Sequence, residues 1–256
     1  MFSVSLIALK TMLGYGIERY VRSAWQYILP PLVTNALYFT IFGKVIGQHI
    51  GTIDGAPYIA FIAPGLIMMT IITSSYNTTL GSIFYSKFCH SIEEILVAPI
   101  SAPIILIGFI GTGALRGLIN GVLVAIVASC FIHLSVYNWA ILASTAILGA
   151  ILFSLAGFTN AIFAKKWDDI AVIPTFVLTP ITYLGGIFFS VTSLTPFWQK
   201  IAHYNPLLYI INSFRYGLLG VADVPFEKSL SILLIFVIAL FSLNVYFLKK
   251  GIGLRT

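Results

Sequence analysis

The chain has 256 residues, 59% of them hydrophobic and 9% charged, with mean hydropathy +1.01 and a formal net charge of +6 at pH 7. A soluble domain of this length needs more charge on its exterior, so the composition excludes an ordinary globular protein and indicates a polytopic membrane protein. The basic residues gather at the ends of apolar runs and form no stripe, which excludes a nucleic-acid footprint.

Residues 3–22 mix apolar positions (Leu6, Ile7, Leu9, Leu13, Ile17, Tyr20) with Lys10, Glu18, Arg19 and Arg22, the pattern of an amphipathic helix in the membrane interface. The run before Lys10 is too short to span, and no cleavable signal peptide is expected. Span one is expected at about 25–45, with Trp25 and Tyr27 as interfacial anchors and a kink at Pro30-Pro31. After a polar loop, span two covers about 58–83. Its second half carries Thr70, Thr73, Ser74, Ser75, Asn77, Thr78 and Thr79. Polar groups at that density serve helix–helix hydrogen bonds or a wet pathway wall, or bond back to their own helix.

A polar interlude, 87–99, separates two runs long enough to cross a bilayer. Phe88, Ile92, Ile95 and Leu96 share one face at helical spacing, opposite Glu93 and Glu94. Ser91 and Glu94 have capping-box spacing, and Pro99 opposes continuation. The expectation is a short surface-lying helix over 91–99, either a turn that reverses the chain or a docking knob for a soluble partner.

Span three follows at about 102–130, where Gly113, Gly117 and Gly121 form a stripe that lets another backbone approach. Beside it stands Arg116, read as the one charge well inside a span. Span four covers about 139–163 and precedes the charged cluster 165–169. Span five, about 170–189, contains Pro174, Pro180 and Gly185-Gly186, so a bent or broken helix is expected. Residues 191–227 are moderately apolar, and span six lies at about 229–248. The fold class is therefore all-α integral membrane, one transmembrane domain over 1–256 with six spans.

Six spans put both termini on one side. That side and the central interlude hold Lys10, Arg19, Arg22, Lys87, Lys165, Lys166, Lys249, Lys250 and Arg255; the other holds Lys44, Lys200, Arg215 and Lys228. Nine basic residues against four make the termini and the interlude cytoplasmic. No P-loop, Gly-x-Ser-x-Gly or His-Glu-x-x-His run occurs, and the four histidines and the separated Cys89 and Cys130 lack metal-ligand spacing. No metal site is expected, and no carboxylate lies inside a span, which disfavours a proton-coupled pump. Energy for uphill movement must then come from another chain.

Several segments together carry a family likeness: 92–100 (IEEILVAPI), 163–170 (FAKKWDDI), 174–180 (PTFVLTP) and 183–189 (YLGGIFF), then Pro196-Phe-Trp198, Asn205-Pro206, Phe214-Arg-Tyr-Gly217 and Leu219-Gly220. In that order and spacing, over nearly the whole chain, the sequence resembles the permease subunits of type 2 ABC exporters (the ABC-2 membrane family), in particular the bacterial YadH-like inner-membrane permeases. The resemblance implies a homodimer of six-span subunits with two separate ABC ATPase subunits. ATP and magnesium would be bound by those ATPases, so this chain would be no enzyme and hold no cofactor. It also implies a coupling helix at Ser91–Pro99, with Ser91, Ile92, Glu93, Glu94, Leu96 and Pro99 meeting the ATPase. The segment 193–220 would dip into the outer leaflet as re-entrant helices around Pro196, Trp198, Asn205, Pro206 and Arg215.

The function expected is export of an amphiphile (lipid, glycan or drug-like) by alternating access, from the bacterial inner membrane. Candidate pathway residues are Asn35, Tyr38, Thr73, Asn77, Thr179 and Tyr183. Arg116 is expected to be a structural and gating cation held by backbone carbonyls or by Asn77, Asn120 or Asn160, with pairing to an anionic cargo as the rival reading. A lipid-modifying membrane enzyme or a non-transporting scaffold would be the alternatives; the first needs a catalytic constellation and the second needs no ATPase-docking helix.

Overall fold

The computed structural model describes residues 2–53 and 55–253; Arg255 and the Lys44 side chain, counted above among the basic residues, lie outside the described residues. Helix α1 (Phe2–Arg22) leads into α2 (Ala24–Tyr38), which continues as a π-helical stretch (Phe39–Ile46) and a last turn, α3 (Gly47–Ile50). Pro30 and Pro31 lie inside α2, which stays helical through them, and the π stretch follows eight residues after Pro31. The polar loop closes as a minimal hairpin, β1 (Thr52–Ile53) antiparallel to β2 (Ala56–Pro57), a small exception to the all-α expectation.

Helix α4 (Tyr58–Phe88) is the centre of the core and runs five residues past the expected end of span two. After α5 (Ser91–Val97) come α6 (Ala102–Ser129) and α7 (Trp139–Phe163). The α7 start is fixed by Asn138, whose side chain accepts from the backbone N–H groups of Ala140 (3.0 Å) and Ile141 (3.2 Å). Span five is an α–π–α composite, α8 (Asp169–Ile173), Pro174–Leu178 and α9 (Thr179–Leu184). It ends five residues before the expected boundary, where Gly186 takes φ +79°. A single 3₁₀ turn (Val191–Ser193) precedes α10 (Pro196–His203), α11 (Pro206–Leu219) and α12 (Phe226–Lys250).

Helices α4, α6 and α7 pack on one another, and α11 and α12 close against α7. The glycine stripe of α6 meets α4: a Cβ at Gly117 would strike the Ser75 hydroxyl and lie 2.7 Å from the Ile71 carbonyl oxygen. From the other side, Gly157 of α7 sits on the Tyr76 carbonyl. Backbone contact on two faces is thus what the small residues of α6 and α7 permit. Leu66, Met68, Ile72, Leu106, Leu155, Phe158 and Ile162 are fully buried in the resulting core.

Four helices, α4, α6, α7 and α12, are each long and apolar enough to cross a membrane. The expected spans one and five fall short as single helices because π stretches divide them. Both carry exposed apolar residues, at four-residue spacing in the first (Trp25, Leu29, Val33, Leu37, Ile41, Val45) and at Val172, Phe176, Val177 and Tyr183 in the second. Within 193–220 the structure has two helices; α11 is almost wholly buried, although its sequence is only moderately apolar.

Candidate functional site

The polar interlude folds as the expected short helix, but with different ends. Its N-cap is His90, in the left-handed conformation at φ +57°. Ser91 Oγ donates to the Ser86 carbonyl (3.3 Å) and no side chain caps the helix, so the capping box is not formed. Already left-handed at His90, the chain has turned through a tight corner that leaves the Ser91 hydroxyl facing back to α4. At the other end Ala98 is extended (φ −61°, ψ 146°), as the residue before a proline must be. The helix therefore stops at Val97, and Pro99 lies beyond it. Ile92 is 1% exposed and Leu96 packs on the core, whereas Glu93, Glu94 and Val97 face outward.

Just before this corner, Lys87 is buried. Its ammonium donates to the carbonyls of Ala161 (3.0 Å), Ile162 (2.7 Å) and Ala164 (3.0 Å). These are the groups that the C-terminus of α7 leaves unpaired, and a cation there also meets the negative end of the helix dipole. Lys87 thus ties the base of α4 to the base of α7 and is not a loop charge. Next to it, Trp167 packs edge-on against Phe84 (4.9 Å) and Phe88 (5.6 Å). The loop that presents Trp167 is closed by Asp169, which accepts from the N–H groups of Lys165 and Lys166 (2.9 Å each). Those two donors hold the Asp169 carboxyl below the usual carboxylate range.

Above α5 a cavity of about 820 Å³ opens between the α1–α2 pair and the second half of α4, with α6 as its floor. Thr73, Asn77, Ser91, Glu94 and Arg116 all line it, so part of the pathway set, part of the coupling set and the intramembrane cation come together. Arg19, Tyr20, Tyr27, Gly81, Asn120 and Trp167 line it too, none of them among the expected pathway or coupling residues. The Arg116 guanidinium lies over the Tyr27 ring at 3.4 Å and near Tyr20 at 5.4 Å. Its support therefore comes from tyrosines of α1 and α2, as ring faces and as a hydrogen bond to the Tyr27 side chain, where carbonyls or amides were expected. Asn120 is engaged elsewhere: it accepts from Tyr20 Oη (3.1 Å) and donates to Ser74 Oγ (3.0 Å). Asn160 donates to Tyr76 Oη (2.9 Å).

The hydroxyls of span two divide between the two expected roles. Thr73 and Thr78 bond back to Met69 and Ser74, while Thr70 bonds back to Leu66 and also accepts from Asn35 of α2 (2.9 Å). The other pathway candidates lie outside the cavity. Asn35 is buried in that bond, and Thr179 is exposed and bonds back to Pro174. Tyr38 and Tyr183 are hydrogen-bonded to each other through their side chains, and both rings flank Phe188, at 6.1 and 5.9 Å.

At the far end of the chain's helices, Pro196 and Pro206 occupy first turns, and Asn205 caps α11 by accepting from Leu207 N (2.9 Å) while donating to the Ile181 carbonyl (2.7 Å). Trp198 is 45% exposed. Arg215, assigned to the outer loop charges by position, is 2% exposed; it donates to the Gly186 carbonyl and lies over Phe61 at 3.9 Å. Arg116 is thus not the sole interior cation. Asn212 joins the loop after α11, donating to Val224 O (3.0 Å) and accepting from Asp223 N (2.8 Å), and Ser190 donates to Asp223 Oδ1 (3.0 Å).

The fold is a mostly helical one with four helices apolar enough to cross a membrane, and the sequence profile of the ABC-2 type transporter family matches residues 7–219. The chain belongs to that family. It is 46% identical to the inner membrane transport permease YadH of Escherichia coli K12 over 250 residues, 98% of each chain. It is 24% identical to nodulation protein J of Neorhizobium galegae over 89% of each chain, and 27% identical to that of Sinorhizobium fredii over 81% of this chain and 80% of the relative.

Proposed function

We propose that this protein is the membrane subunit of an ATP-driven exporter of the inner membrane, working as a homodimer with two separate ATPase subunits. The observation that carries the reading is α5: Ile92 is anchored, Glu93 and Val97 are offered outward, and Lys87 fixes the adjoining α4 to α7. A helix displaced by an ATPase would therefore move two core helices together. Family membership supports the same reading, as does the 46% identity to a protein named as an inner membrane transport permease. In this reading α2–α3 and α8–α9 complete six spans, both termini and α5 face the cytoplasm, and α10–α11 sit in the outer leaflet. The exposed apolar rows of α2 and α8–α9 supply the dimer contact, along which Tyr38, Thr179 and Tyr183 reach the pathway. The cargo is an amphiphile.

Crosslinking tests this directly. A photoreactive residue at Glu93 or Val97, in cells expressing the tagged chain, is expected to capture a P-loop ATPase. The same probe at Tyr204, 89% exposed at the other end, should not. Capture from Tyr204 and not from α5 would overturn the reading.

A further inference from the structure

The cavity beside α5 has features that packing does not explain. Arg116 reaches into it with no carboxylate partner among the described residues, where the ion pairs are Arg22–Glu18 and His90–Glu93. Its Nε is buried and bonded to nothing. The tyrosines cover the guanidinium's face and the Tyr27 hydroxyl accepts from one of its N–H groups, which leaves the remaining N–H groups, Nε among them, for a planar or tetrahedral anion. Arg19 lines the same cavity, held near the Tyr85 ring at 5.2 Å. Against these two cations stands one carboxylate, Glu94, at the α5 end. The cavity therefore carries a net positive charge in surroundings where a lone cation costs roughly 2.5–3.5 kcal/mol to insert.

Uncommitted hydrogen-bonding groups face the same space. Asn77 is exposed to the cavity from mid-α4, and neither its amide nor the Ser82 hydroxyl has a partner among the described hydrogen bonds. Gly81 lies between them. A Cβ there would meet nothing within 4 Å, unlike the stripe glycines, whose missing side chains admit a neighbouring backbone. A glycine inside a 31-residue helix costs about 1 kcal/mol relative to alanine, and here its only structural consequence is room in the cavity. Met12, Pro30, Phe109 and Ile95 make the remaining wall apolar.

We infer that this cavity is a binding site for the net-anionic, phosphate-bearing headgroup of an amphiphile that enters from the α5 side of the membrane, a headgroup whose phosphate charge no choline offsets. Arg116 is the deep anion ligand, Asn77 and Ser82 supply neutral donors, and Arg19 draws the headgroup in at the mouth. A phosphate's several oxygens match two cations plus amide and hydroxyl donors better than a carboxylate's two. The apolar wall takes the first methylenes of the tail. The inference rests on the exporter reading only in taking the ligand as cargo; binding by the chain alone needs no ATPase, so the two fail separately.

Purified full-length chain in detergent, titrated with short-chain phosphatidylglycerol, phosphatidylcholine and inorganic phosphate by native mass spectrometry, tests it. Phosphatidylglycerol is expected to bind at least tenfold more tightly than phosphatidylcholine. Arg116→Gln should abolish that preference, and Arg116→Lys, which keeps the charge but loses the stacked fork, should retain only part of it. Gly81→Phe, which puts a ring into the cavity and keeps Arg116 in the chain, should weaken phosphatidylglycerol at least tenfold while leaving the unfolding midpoint unchanged or raised. Equal affinity for the two lipids, or full binding in Gly81→Phe, would overturn the site. Inorganic phosphate competing as tightly as the lipid would overturn the amphiphile as its ligand.

Discussion

Removing the Lys87 ammonium would strand three carbonyls at the end of α7 away from water, because the surrounding helices exclude solvent from Ala161, Ile162 and Ala164. Lys87→Met is expected to lower stability by about 1–3 kcal/mol, the cost of leaving buried acceptors unpaired, read as a fall in the unfolding midpoint of the detergent-solubilised chain. Two glycines should respond with opposite signs to one substitution. Gly117→Ala drives a methyl onto the Ser75 hydroxyl and the Ile71 carbonyl, and should cost about 1–3 kcal/mol. Gly81→Ala meets nothing and should stabilise by about 1 kcal/mol through helix propensity. Thermal melts of the pair check both. The stripe glycines were legible in the sequence because their spacing marks one helix face. Gly81 was not, since only the surrounding helices show that its position is open. Nor did Lys87 and Arg215 reveal themselves: their acceptors are mainly backbone carbonyls, which every residue possesses and which leave no sequence signature.

At the scale of elements, amphipathic spacing and proline were reliable guides, and the ends were less so. Helix α7 begins and stops where apolar composition and Asn138 place it, and α5 ends where Pro99 forces Ala98 out of the helical region. The capping box failed because a tertiary corner at His90 sets the chain direction before Ser91 can cap. Spans one and five were recognisable as apolar stretches; the break in span five falls at the prolines that announced it, whereas the π stretch Phe39–Ile46 contains no residue that marks it. The structure also separates two neighbouring carboxylates. Glu93 is on the open face of α5, while Glu94 lines the cavity. Glu93→Lys is therefore expected to weaken ATPase recovery by about tenfold, as charge reversal at a docking face does, with lipid binding unchanged. Glu94→Gln should leave ATPase recovery near normal and tighten binding of an anionic lipid, because it removes the cavity's one carboxylate. Affinity capture of the ATPase and lipid titration, run on both variants, measure this split.

For the molecule as a whole, the sequence made class and family plain through composition and ordered motifs, while the cavity was hidden. Its lining comes from five helices and the loop residue Trp167, spread from Met12 to Trp167, and only folding brings Arg116 beneath Tyr20 and Tyr27. The proposed topology makes its own claim about sidedness. Cysteines at Lys200 or Tyr204 should react with an impermeant maleimide from outside intact spheroplasts, and one at Glu93 only after lysis. The measurement that bears most directly on the central claim is ATP turnover in lipid nanodiscs, with the chain alone and with its captured ATPase. Neither a P-loop nor any other recognisable nucleotide motif occurs in the chain, so the account predicts no hydrolysis by the pure chain. It predicts steady hydrolysis by a complex of two permease and two ATPase subunits, reduced when Glu93→Lys is introduced. Robust hydrolysis by the pure chain, or a functional complex whose rate and assembly ignore every change to α5, would contradict it.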